Sequence, residues 1–150
     1  MDADFCFLFG NHNAPEDCRS AVLDTLEKCY TENNIKCYVV GMYGNFDRIG
    51  RFALKMFKKQ HSDIALYLLT PYHPYQRPIE VPQGFDATYY PPEQEKASPQ
   101  FAIVKANEYC AKNCSAAICY VKNPGNSRKI LEKQKRRAEI PIYNVAENIE

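Results

Sequence analysis

The chain has 150 residues, 45% hydrophobic and 25% charged, and its 19 Lys+Arg and 18 Asp+Glu nearly cancel. That length predicts one domain, 1–150, whose core needs no disulfide or metal staple, and the composition excludes a disordered chain. Near-zero net charge removes the broad positive field of a non-specific nucleic-acid binder, and apolar runs of five or six residues are too short to span a membrane.

Phe5-Cys6-Phe7-Leu8-Phe9, ending at Gly10, predicts a strand buried on both faces. Pro15 then opens a helix, with Glu16 and Asp17 near the positive end of its dipole. Its apolar stripe is Cys18, Val22, Leu26 and Tyr30, and Asn33-Asn34 end it. A second strand is predicted over 35–40 and stops at Gly41. A second helix is expected from Asp47, with Ile49, Phe52, Ala53, Met56 and Phe57 on one buried face. A third strand covers 64–69. Between Pro71 and Pro99 lie seven of the ten prolines, which predicts irregular, partly rigid loops around one strand-like run at 85–90. Phe101, Val104, Tyr109 and Cys110 mark a third helix, and 116–121 another buried strand. Asn126 or Ser127 caps a last helix running to about Ala138, and 141–145 close the chain as a short strand.

Buried strands separated by single helices imply right-handed parallel crossovers. The expected fold is therefore a three-layer α/β domain with a mostly parallel sheet of five or six strands. The seven cysteines form no CxxC pair and the three histidines are dispersed, so no metal site is expected. Cysteines inside apolar runs act as small hydrophobes, which points to reduced thiols and a cytoplasmic protein. Met1-Asp2-Ala3-Asp4 carries no basic region or cleavage site, so no secretory signal is expected.

In open parallel sheets, ligands bind beyond the carboxyl ends of the strands. Three such ends carry unusual loops. Gly10-Asn11-His12-Asn13 is either a polar turn or a ligand contact with neutral donors and acceptors. Gly41-Met42-Tyr43-Gly44-Asn45-Phe46-Asp47 leads into a helix N-terminus, where amide N–H groups and the helix dipole suit a phosphate. Asp47 either caps that helix or accepts hydrogen bonds from ribose hydroxyls. Lys122-Asn123-Pro124-Gly125-Asn126-Ser127-Arg128-Lys129 opens the last helix and suits a phosphate monoester. Lys133, Lys135, Arg136 and Arg137 form a solvated helix face rather than a nucleic-acid surface. Tyr43, Tyr72, Tyr75, Tyr89 and Tyr90 lie in or near loops, and one of them is available to stack on a base.

These segments, in order, resemble the SLOG superfamily, the Rossmann-like group that includes DNA-processing protein A and the LOG phosphoribohydrolases. The resemblance covers nearly the whole chain and is strongest to small standalone bacterial members. It rests on Phe9-Gly10-Asn11-His12, the loop from Gly41 to Asp47, Tyr90-Pro91-Pro92, Ala102-Ile103 with Asn107, the strand from Ile118 to Val121, and Asn144 before Val145.

The resemblance implies a single Rossmann-like domain that binds a nucleotide-type small molecule, with no separate cofactor, some relatives being ligand sensors. Gly10, Asn11, His12, Gly41, Met42, Tyr43, Gly44, Phe46, Asp47, Asn107, Asn123, Gly125, Asn126 and Ser127 are the residues expected to bind. The alternative is an N-glycosidic hydrolase of nucleoside monophosphates. Its catalytic carboxylate would be Glu132, which falls where the LOG enzymes end their Pro-Gly-Gly-x-Gly-Thr-x-x-Glu motif. Here Pro124-Gly125 is followed by Asn126-Ser127-Arg128-Lys129, without the remaining glycines and the threonine. Exposed helices flanking a parallel sheet also make a homo-oligomer an expectation.

Overall fold

The computed structural model describes residues 4–137 and 139–148. The start of the chain at residues 1–3 and the predicted helix end at Ala138 lie outside the described residues. The strands are β1 (Cys6–Gly10), β2 (Cys37–Val40), β3 (Ala65–Leu69), β4 (Ala87–Tyr89), β5 (Ala116–Tyr120) and β6 (Ile142–Asn144). The helices are α1 (Arg19–Thr31), α2 (Asn45–Gln60), α3 (Ala102–Asn113) and α4 (Asn126–Arg137).

All six strands are parallel, in the order β4-β3-β2-β1-β5-β6. Side chains alternate across β1. Cys6 and Leu8 enter the layer under α1 and α2, while Phe5, Phe7 and Phe9 enter the opposite layer under α3 and α4. This is the expected three-layer Rossmann-like α/β fold. Leu8 and Phe7 are wholly buried, and each contributes roughly 1.5–3 kcal/mol by leaving water. All seven cysteines are buried, packed as small apolar residues within these layers.

From β1 the chain winds outward through β2, β3 and β4, then returns behind the sheet through α3 to β5 on the other side of β1. The helices that follow β1 and β5 therefore lie on opposite faces, which makes the carboxyl ends of these two strands the topological switch point.

Three local expectations need correction. The α2 stripe buries Phe46, Ile49, Gly50, Ala53, Leu54 and Phe57, whereas Phe52 and Met56 remain 51% and 41% exposed. Gly50 explains the rotation: a Cβ there would lie 3.2 Å from Val40 and 3.3 Å from Leu8, so its absence lets that side of the helix press on the sheet. Phe101 is exposed too, because α3 buries Ala102, Ala106, Cys110 and Ala111 instead. Finally, α4 already includes Asn126 and Ser127, and it is the Gly125 carbonyl that accepts the Lys129 N–H at 3.2 Å.

Candidate functional site

The loops after β1, β2 and β5 are tied into one unit. Asn11 is buried, and its Oδ1 accepts the N–H groups of Lys122 at 2.9 Å and Asn123 at 3.1 Å. Asn123 Nδ2 in turn donates to Asn13 Oδ1 at 3.3 Å. On the other side, the Asn45 N–H donates to the His12 carbonyl at 2.9 Å and Asn45 Nδ2 reaches the Ala14 carbonyl at 3.4 Å. Gly44 lies directly against His12 with φ +89°, a backbone that disfavours side chains, and a Cβ there would meet the His12 ring at 2.8 Å.

Asp47 sits within α2 rather than at its cap. Gly44 precedes the helix, and Asp47 Oδ2 reaches back to accept the Tyr43 N–H at 3.1 Å. Gly41 makes room for that carboxylate, since a Cβ there would lie 2.6 Å from Oδ2. Arg51, one turn along, donates from Nη1 to the Gly41 carbonyl at 2.9 Å. Burial pushes the Asp47 carboxyl up to about 7, opposed in part by the Tyr43 N–H and the Arg51 charge. A buried carboxyl that changes protonation near neutrality has the properties of a functional group.

The expected binding residues divide by position. Gly41, Tyr43, Asp47 and Asn107 come together with Pro71 and Ile103 around a cleft of about 10 Å³, room for about one water. Asn123, Gly125 and Asn126 are exposed at the start of α4, with Ser127 half-buried beside them. His12 is exposed and Met42 half-buried above the first two loops. Phe46 is wholly buried, its ring filling the space that Gly10 leaves; a Cβ on Gly10 would be 2.6 Å from that ring. Glu132 is exposed in the second turn of α4, and Arg136 Nε donates to its carbonyl at 3.4 Å.

Several residues outside the expected binding set support the loops. Arg51 was readable, because residues four apart on a helix face one another. Asn144 clamps the end of β5: Oδ1 accepts the Val121 N–H and Nδ2 donates to the Val121 carbonyl, both at 3.0 Å. Gln94 is buried in the proline-rich segment, where no periodicity marks it.

Two of the larger depressions bear on the site. One, of about 500 Å³, adjoins the small cleft at Pro71 and is lined by Tyr72, His73, Tyr90 and Gln94. The other, of about 550 Å³, lies on the outer side of α2, with Phe52, Met56 and three lysines along it, and no strand-end residue lines it. Among the described residues no helix is long and apolar enough to cross a membrane, and no cluster of His, Cys, Asp and Glu is arranged to hold a metal ion. The chain matches no model of a known protein family and no curated protein sequence.

Proposed function

We propose that the chain binds a nucleotide or nucleotide-derived small molecule at the carboxyl ends of its parallel strands, and that it works as a ligand sensor, as the SLOG resemblance implies. One observation supports this reading above the others. The loops after β1, β2 and β5 are hydrogen-bonded together, so the starts of α2 and α4 lie on the same carboxyl edge of the sheet. The first turn of a helix has N–H groups without intrahelical acceptors, and two such turns on one sheet edge offer donors to a phosphate. Asp47 then faces the ribose side from the small cleft, and a tyrosine covers the base. A bacterial, cytoplasmic protein that pairs with a second copy of itself belongs to the same reading.

Titration calorimetry with mononucleotides and their parent nucleosides tests the phosphate arm. The 5′-monophosphates bind at least roughly tenfold tighter, since charge-assisted hydrogen bonds to phosphate are worth about 1.5–3 kcal/mol each. Equal affinity for nucleoside and nucleotide would reject it.

A second reading, N-glycosidic hydrolysis, gains from one observation: the Asp47 carboxyl is buried beside the small cleft and pushed up to about 7, suited to proton transfer at neutral pH. It places the chemistry on Asp47 rather than on exposed Glu132. Free base released by the wild type and not by Asp47→Asn would favour it over sensing.

A further inference from the structure

The proline-rich segment between β3 and α3 builds a recess that the strand-end loops do not use. Its volume is about 500 Å³, within the range of small-molecule sites. Tyr72, His73 and Tyr90 wall it, with Tyr75 at its mouth. The rings are set in fixed relation: His73 stacks on Tyr75 at 5.1 Å between centroids and meets Tyr90 edge-on at 5.4 Å. Tyr72 is held from outside by the Arg77 guanidinium, 3.8 Å from its ring centre, and its hydroxyl donates to the Pro99 carbonyl at 3.0 Å. That bond ties the segment after β3 to the entry of α3.

Gln94 lines this recess at 2% exposure. Its Nε2 donates to the Ala102 carbonyl at 2.5 Å, which fixes the orientation of the amide. Its Oε1 is then a buried acceptor with essentially no accessible surface and no hydrogen-bond partner among the described residues, so a donor from the recess reaches it only with a small shift of the surrounding side chains. Such an atom destabilises the fold unless something donates to it. Aromatic walls with one unpaired acceptor match a flat heterocycle that carries an N–H donor. Pro71 lines both this recess and the small cleft beside Gly41 and Asp47, so the two are neighbours.

We infer that the recess of Tyr72, His73, Tyr90 and Gln94 receives the base of the bound nucleotide, and that the base bears an amino group donating to Gln94 Oε1. This rests on the proposed nucleotide reading and adds the chemical class of base to it. The base stacks against the aromatic walls, the ribose passes Pro71, and the phosphate lies on the strand-end loops.

Equilibrium dialysis of the full chain against AMP, CMP, GMP, purine riboside 5′-monophosphate and ribose 5-phosphate tests it. At least one amino-bearing nucleotide should bind roughly tenfold tighter than ribose 5-phosphate through stacking. It should also bind about tenfold tighter than purine riboside 5′-monophosphate, which lacks the amino group. Gln94→Met should abolish the second preference and keep most of the first. Tyr75→Ala, at a residue 93% exposed and therefore harmless to folding, should weaken the nucleotides severalfold and leave ribose 5-phosphate unchanged. The chain has eleven tyrosines and no tryptophan, so quenching of tyrosine fluorescence by the base gives an independent readout. If ribose 5-phosphate binds as tightly as every nucleotide, the base recess is refuted while the phosphate site stands. If none of the five binds, the nucleotide reading itself fails and the recess assignment fails with it.

Discussion

Asp47 offers the sharpest physical test of the site. A buried carboxyl whose folded value is about 7 against 3.8 in the unfolded chain holds its proton more tightly when folded. Between those two values the native state binds more protons than the unfolded state, so stability falls as pH rises from about 4 to about 7, then levels off. Each unit of displacement corresponds to about 1.36 kcal/mol, which makes the full effect a few kcal/mol. In Asp47→Asn the side-chain oxygen still accepts the Tyr43 N–H, and no charge has to be buried. The expected outcome is therefore a difference in stability, variant minus wild type, that grows by roughly 3 kcal/mol between pH 4 and pH 7.5. Urea unfolding of both proteins across this range measures it. Asp63 and Asp86, whose carboxyls are held below the usual range by Tyr30 with Lys36 and by Lys58, titrate alike in both proteins and cancel in the difference. A difference that stays flat with pH, or that shrinks toward pH 7.5, would refute the buried, neutral-prone carboxyl.

Other substitutions probe the framework of the strand-end loops. Asn11→Ala removes the acceptor of two loop amides and should cost about 1–3 kcal/mol, with faster hydrogen exchange at Lys122 and Asn123 as its local signature. Gly44→Ala puts a side chain at φ +89° and against His12, and should lower stability by roughly 1–3 kcal/mol in chemical denaturation. Gly10→Ala drives a methyl into the Phe46 ring, an overpacking cost of about 1–3 kcal/mol, visible as a lower thermal midpoint. Glu132→Gln, on an exposed stretch of α4, should leave stability within about 0.5 kcal/mol.

The centre of the sheet was legible because β1, β2 and β5 are short, continuous apolar runs, the pattern of strands buried on both faces. The face of α2 was misread for a different reason. Phe52 and Met56 have the right spacing for a stripe, but a helix settles where its smallest residue allows the closest approach, and Gly50 turns it away from them. The site was legible as loops rather than as side chains. Asn11 and Phe46 stand in the right segments, yet the oxygen of Asn11 is occupied by backbone amides and the Phe46 ring fills the space beside Gly10. Neither partnership is written locally, because Lys122 and Gly10 are distant in sequence from the residues they meet. The recess around Gln94 was invisible for the same reason: prolines announce irregular chain, and irregular chain has no period from which to read what it encloses.

The central claim is that the carboxyl edge of the sheet holds a nucleotide. The most direct measurement incubates the purified full chain with a mixed nucleotide pool, separates bound from free, and identifies both fractions by mass spectrometry. The account predicts one intact nucleotide, with an amino-bearing base, retained with the protein. A bound fraction free of nucleotides, with the pool unchanged in solution, would contradict it.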